Sequence, residues 1–325
     1  MELCNDCAEE LYYDLIRCYH AGHPNGLEFF GDANYSFIAG HFGAELEVTT
    51  DEPQRVAYML RELGCRTDLY HLENDCSVDG FEMIFQPMTF EYIREHLADI
   101  HQIFNVLNQY GATAESGNGL HIHVSRTAFG NDAATQARRI ALCMKAFAGD
   151  NYNRMMAASG RDYNDAGDWC RDNAGIGSFS QKKQAAVTRR ADRYLAVNVQ
   201  NTDTVEFRLG RSTVNCDDFI RWIQTIGVIV RRSESITPTQ ATDLDRWFVD
   251  APTDLVDWLN GRDAMIREPL QEISTERYND IIRTIARRIG RNLYCMMDEE
   301  PTEAEILRNI AGCTAQELRA LGYDR

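Results

Sequence analysis

The sequence predicts an α+β fold: a sheet whose apolar face is covered by amphipathic helices, followed by a helical C-terminal region. Two observations carry that prediction. Stretches such as "GAELEVT", "GLHIHVS" and "TVEFRLG" alternate apolar and polar residues with a period of two, the mark of strands with one buried face. Between them, apolar residues recur every three or four positions, the mark of helices with one buried stripe. At 325 residues and 44 % hydrophobic composition the chain can enclose a large core, in one big domain or two smaller ones.

In chain order, residues 1–40 form a leading segment with Cys4-x-x-Cys7, then Cys18, His20 and His23. These five could hold one Zn²⁺ and staple a short helix at about 9–17, although the second group is cramped for a zinc motif; the alternative is a plain helix with free thiols. "HFGAELEVTT" reads as a strand. A helix follows, capped by Asp51, with Pro53 in its first turn, Val56, Leu60 and Leu63 as its stripe and Gly64 ending it. "DCSVDGFEMIFQP" reads as two short strands with Asp79-Gly80 as the turn. Thr89 caps one long helix to Tyr110, with Ile93, Leu97, Ile100, Phe104 and Leu107 on one face and Gly111 after it. After the histidine strand, Asp132 opens a helix to about Ala148, with Ile140, Met144 and Phe147 inward.

Residues 149–187 lack a clean period and are rich in Gly, Asn, Asp, Arg and Lys, as functional loops are. "RYLAVNVQNTDTVEFRLGRS" reads as two strands joined at Asn201–Asp203, and Asp217 starts a helix to about Arg232. In the C-terminal third, Thr302 with Glu305 and Thr314 with Glu317 form capping boxes. Arg283, Arg287 and Arg291 make a basic stripe that reads as a solvated helix face. The domains expected are a Cys/His segment 1–40, a catalytic domain 41–232 and a helical region 233–325.

Charge and composition narrow the partners. A net charge of −17 repels phosphate backbones and anionic membranes, so bulk nucleic acid is excluded as a partner. No apolar run reaches the ~18 residues of a transmembrane helix, and "MELCNDCAEELYY" is not a secretory signal. Ten cysteines without such a signal suggest reduced thiols and a cytoplasmic protein. Cys143 and Cys216 lie in apolar helical patterns and read as packing residues.

The strands carry the chemistry. Two histidines on one strand face, as His121 and His123 are, by themselves are more often packed and hydrogen-bonded, or exposed, than metal ligands. Glu45 and Glu47 share a face opposite Ala44, Leu46 and Val48. Glu206 and Arg208 share one opposite Val205, Phe207 and Leu209. Glu82 and Asn198 are out of phase with their apolar neighbours in the same way. If these strands are neighbours, four carboxylates stand within repulsion range and need cations to stay ionised. Carboxylate oxygens with an imidazole suit Mg²⁺ or Mn²⁺, and four carboxylates exceed what one ion takes. Arg208 beside Glu206 is at home there only if an anion arrives, such as a transferring phosphoryl group.

The order "GAELEV", "DCSVDGFEMIFQP", "GNGLHIHVS", "RYLAVNV…TVEFRLGRST" over about residues 41–230 resembles the amidoligase family, carboxylate–amine ligases related to glutamine synthetase and γ-glutamylcysteine ligase. The resemblance implies a curved antiparallel sheet around an ATP–metal site, of glutamine-synthetase-like type. It implies that Glu47 and Glu82 hold one ion, that Glu45, His121 and Glu206 hold another, and that Arg208 contacts the γ-phosphate. His123 would face the substrate as a catalytic residue or support a ligand. Asn198, Lys182 and Lys183 are the further candidates for the nucleotide, the two lysines together with Arg154 and Arg161 from the irregular stretch. Asp75 and Ser77 match a block of the family without an assigned role. Gln86 departs from the pattern, which has serine before the proline. The implied activity is ATP-dependent amide-bond formation between small-molecule or peptide substrates, with relatives of glutamine synthetase often forming rings, hence a homo-oligomer. Two other readings stay open: a metal-dependent hydrolase using the same cluster, and a non-catalytic binding module.

Overall fold

The strand from Phe42 to Thr49 (β2) lies at the centre of a seven-stranded sheet and sets its two faces. Phe42, Ala44, Leu46 and Val48 are buried on one side, while Gly43, Glu45, Glu47 and Thr49 are half-buried on the other. The structure, a computed structural model, describes residues 15–33, 40–115, 117–161 and 169–267. The other strands are β1 (Ile16–Arg17), β3 (Tyr70–Glu73), β4 (Gly80–Met88), β5 (Gly119–Ser125), β6 (Val197–Asn198) and β7 (Thr204–Arg211). Their order is β1-β3-β4-β2-β5-β7-β6. All neighbours run antiparallel except β1, which pairs parallel with β3, so the sheet is mixed at one edge.

Among the described residues, helices pack on the apolar face of the sheet, as the alternation predicts. They are α1 (Pro53–Glu62), α2 (Phe90–Glu95), α3 (Leu97–Gln109), α4 (Ala133–Ala146), α5 (Asp150–Ser159), α6 (Phe179–Thr188), α7 (Cys216–Arg232) and α8 (Thr253–Arg267). One apolar core joins Leu46, Phe85, Ile122 and Phe207 of the sheet to Leu60, Ile100, Phe104, Ile140, Phe219 and Trp222 of the helices. Each such side chain removed from water contributes roughly 1.5–3 kcal/mol before entropy is counted. Cys143 and Cys216 are buried in that core, and burial raises both thiols to about 12. Ile236, Ala241, Leu244 and Trp247 belong to it too, so the chain beyond 232 continues the same packing. Contacts divide the chain into Met1–Asp263 and Ala264–Arg325. The capping boxes and the arginine stripe lie outside the described residues, as do Cys4 and Cys7. Among the described residues no helix is long and apolar enough to cross a membrane.

Several local expectations are corrected. The helix after β2 has Glu52, not Asp51, at its N-cap, and no side chain closes that cap. The long helix from Thr89 is two: Thr89 Oγ1 caps α2, and the chain breaks at His96 before α3 begins. The β3–β4 connection is longer than a two-residue turn and runs from Asn74 to Asp79, with Ser77 donating to Asp75 Oδ1 at 2.8 and 2.7 Å. Helix α7 starts at Cys216, one residue before Asp217, with Asn215 as its N-cap. Residues 149–187 hold α5 and most of α6, so the irregular part is shorter than expected. Of the proposed helix at 9–17, the described end is a turn and β1.

Candidate metal centre

The sheet face opposite the described helices carries the charged residues, because each strand must bury its apolar set under the helices. Register decides which of them meet. Glu45 pairs with His121, Glu47 with Glu82, His123 with Glu206, and Asn198 with Glu206. Five strands, all but β1 and β3, thus bring Glu45, Glu47, Glu82, His121, His123, Glu206 and Asn198 into one patch. A bulge in β7 completes it. Leu120 pairs with Gly210 but Ile122 with Phe207, so β7 has one extra residue opposite His121. Arg208 sits at that irregularity.

The distances are those of a ligand cluster. His121 Nδ1 lies 3.2 Å from Glu45 Oε2 and 3.7 Å from Glu206 Oε1. His123 Nε2 lies 3.0 Å from Glu45 Oε1, out of hydrogen-bond alignment, and has no hydrogen-bond partner. Two groups have ligand atoms all within 4.8 Å of one another: Glu45, Glu82 and His121, and Glu45, His123 and Glu206. The grouping therefore differs from the expected one. Glu45 is common to both, His123 joins directly, and Glu47 is in neither, since its Oε2 accepts from Gly119 N at 2.6 Å.

The electrostatics match the geometry. Burial, then the Glu45 and Glu47 carboxylates, push the Glu82 carboxyl up to about 9. Burial opposes the charge of Glu45 too, but His123 and His121 outweigh it and hold Glu45 well below the usual carboxylate range. Burial works against a charge on His123, yet Glu45 and Glu206 carry it up to about 9. A cation among these oxygens relieves the repulsion that Glu82 feels. The carboxylate and imidazole groups could hold a metal ion, with His123 Nε2 giving up its proton to become a ligand.

Arg208 is buried, pairs through Nη1 with Glu206 Oε1, and donates from Nε to the Trp169 carbonyl at 3.1 Å. Asn198 Nδ2 donates to Glu206 Oε2 at 2.7 Å, so Glu206 is held from both sides. The two lysines do not join the patch. Lys182 Nζ is buried and donates to the carbonyls of Asn173 and Gly177, and Lys183 Nζ lies 5.5 Å over the Phe179 ring. Of the basic residues in 149–187, Arg154 pairs with Asp245, while Arg161 reaches the cluster edge. A Cβ at Gly119 would stand 2.5 Å from Arg161 Nη2 and 2.6 Å from His121 Nε2, so glycine leaves room for both. Arg161 is 5 % exposed and its Nη1 has no hydrogen-bond partner.

The described part of the leading segment holds three of the five residues expected to bind zinc, Cys4 and Cys7 lying outside the described residues. Among the described residues, Cys18, His20 and His23 gather into no ligand group; Cys18 and His20 are exposed, and His23 Nε2 is turned to the Thr67 carbonyl at 3.3 Å. Its described residues form a flap at the β3 edge. Glu73, 1 % exposed, accepts from His20 N at 2.6 Å and Gly22 N at 2.7 Å. Gln86 accepts from Glu28 N at 3.3 Å and donates to the Gly26 carbonyl at 2.9 Å. Sequence reasoning missed Glu73, although "YHLE" puts it in phase with His71. It noted Gln86 only as a departure, and that departure is the residue that pins the flap.

The fold and this patch define the class: an α+β chain with a mixed sheet and a Glu/His cluster that could hold a metal ion. No protein-family model matches the chain, and no curated protein matches it.

Proposed function

We propose that the chain is an ATP-dependent carboxylate–amine ligase that forms an amide through an acyl phosphate. The observation that carries this reading is the buried Arg208 set against Glu206 at the edge of a cluster of metal-ligand type. A guanidinium there serves an incoming anion, and the order of strand motifs resembles that of amidoligases. In this reading the sheet curves around the nucleotide as in glutamine synthetase.

Glu45, Glu82 and His121 would hold one Mg²⁺ or Mn²⁺ and Glu45, His123 and Glu206 another. Such ions supply charge neutralisation on phosphate oxygens. Arg208 binds the equatorial oxygens of the phosphoryl group in flight. Asn198 keeps Glu206 oriented by its hydrogen bond. A substrate carboxylate oxygen attacks the γ-phosphorus, the bond to the bridging oxygen breaks, and ADP leaves. The amine nitrogen then attacks the acyl carbon, phosphate departs with the bonding pair, and the nitrogen gives up a proton. The flap and the residues beside it limit water, which would otherwise hydrolyse the acyl phosphate.

The test is ADP release from Mg·ATP by the full chain, against pools of carboxylates and amines, with Glu206→Gln as control. Pool-dependent release that disappears in the variant is expected. No release from any pool, with no ATP-induced rise in melting temperature, overturns the ligase and favours a hydrolase using the same cluster.

A further inference from the structure

Arg161 is a buried cation without a counter-charge. It follows Gly160, whose left-handed backbone ends α5. Its backbone N donates to Ser159 Oγ at 3.2 Å, and its Nε donates to the Gly210 carbonyl of β7 at 3.2 Å. The residue is 5 % exposed, and Nη1 is buried with no hydrogen-bond partner. Among the described residues no carboxylate forms an ion pair with it. A guanidinium taken out of water and left unpaired is strongly unfavourable, and it cannot shed its proton to escape. The carboxylates nearest to hand are already engaged. Glu47 Oε2 accepts from Gly119 N at 2.6 Å, and Glu206 is held by Arg208 and Asn198.

The guanidinium faces the cluster. Gly119 is in phase with His121 and His123 along β5, so a side chain there would point to the same face. A Cβ at Gly119 would stand 2.5 Å from Arg161 Nη2 and 2.6 Å from His121 Nε2. The other ring nitrogen of His121, Nδ1, is turned to Glu45 and Glu206. The imidazole therefore stands between the carboxylates of the ligand groups and Arg161. Arg208 is close by along β7, but it is committed to Glu206 and the Trp169 carbonyl. A metal ion in the cluster would engage carboxylates and add positive charge, so it cannot neutralise Arg161. The charge that fits is an anion brought from outside, and a planar guanidinium with uncommitted Nη groups suits an oxyanion. We propose that Arg161 binds an oxyanion group of a ligand, a phosphate or a carboxylate, on the Nε2 side of His121. Placing that group on a reactant, beside the phosphoryl group assigned to Arg208, rests on the ligase reading; the binding itself does not.

Two measurements on the full chain test it. The first is melting without ligand. Arg161→Met keeps most of the side-chain length and removes the charge. It should melt within about 4 °C of the wild type, the scale of the one hydrogen bond to Gly210 that it loses. A larger fall, as when a buried ion pair is broken, would show that the guanidinium already has an internal counter-charge and overturns the proposal. Asp162, Asp165 and Asp168, next in the sequence and outside the described residues, are the carboxylates that arm covers. The second is titration calorimetry in excess Mg²⁺ with inorganic tripolyphosphate, standing in for a nucleotide's phosphates, and with succinate, standing in for a carboxylate reactant. One or both should bind saturably, and Arg161→Met should weaken that binding about tenfold or more, the loss of one charge-assisted hydrogen bond. The tighter probe identifies the group. Binding of neither, or equal binding by the variant, overturns the proposal. The ADP assay separates this site from the ligase reading. Arg161-dependent oxyanion binding without ADP release from any pool keeps the site and sinks the ligase. Pool-dependent ADP release that Arg161→Met leaves unchanged does the reverse.

Discussion

At the scale of single residues, Arg208 and Glu82 make opposite commitments. Arg208 is a buried cation compensated by Glu206 and the Trp169 carbonyl. Arg208→Ala should lower ATP turnover about 10²–10³-fold, the loss typical of one transition-state donor, while a hydrolase without nucleotide would be affected less. ADP release per enzyme at saturating Mg·ATP measures it. Glu82 is a carboxyl that its neighbours keep from ionising. Glu82→Gln removes that conflict, so the metal-free variant should melt at or above the wild-type temperature. The same variant should lose most of the stabilisation that Mg²⁺ or Mn²⁺ provides, read by melting with and without chelator. A Glu82 that merely decorates the surface would show neither effect. Both residues were legible in the sequence from parity alone. Glu73 was not, because its role depends on backbone amides more than fifty residues away in the chain.

At the scale of elements, the flap and its anchor respond to pH through His71. Burial lowers its pKa, and the nearby Glu73 carboxylate, 3.0 Å from Nε2, only partly offsets this. Its Nδ1 is buried without a partner. The folded state thus prefers the neutral ring, while the unfolded chain takes up a proton near pH 6.5. The stability this contributes is complete above about pH 6.5 and is lost as pH falls through the depressed folded value. Denaturant midpoints at pH 7.5 and 5.5 should differ more in wild type than in His71→Gln; equal differences would remove His71 as the cause. Element types were readable wherever the period was clean, in β2, β5, β7 and α4. The break at His96 was not, because the apolar stripe from Ile93 to Leu107 continues across it. Nor were α5 and α6, whose small and polar residues blur the helical stripe.

At the scale of the molecule, the sheet face opposite the described helices gathers the carboxylates of Glu45, Glu47, Glu82 and Glu206. A divalent cation bound there and absent from the unfolded chain stabilises the fold by mass action. At a hundredfold excess over the dissociation constant the gain is about 2.7 kcal/mol, or a rise of roughly 5–10 °C in melting temperature. Mg²⁺ or Mn²⁺ titrated into the full chain should produce that rise, and chelator should reverse it. No rise with either ion would leave the cluster as a set of hydrogen-bonded side chains.

The sequence by itself determined the two faces of each strand, the helices that cover one of them, and the identity of Glu45, Glu82, His121, His123, Glu206 and Arg208 as the residues of the other. Period-two alternation is a local property, so it needs no knowledge of neighbours. Only the tertiary structure decided who meets whom. Register made Glu45 the centre of both ligand groups, took Glu47 to the Gly119 amide, and spent Lys182 on carbonyls. It also anchored the described part of the leading segment to Glu73 and Gln86. Strand order, the bulge opposite His121 and the reach of Glu73 and Gln86 to the flap are long-range pairings, and those follow from how the whole chain packs rather than from any stretch of it.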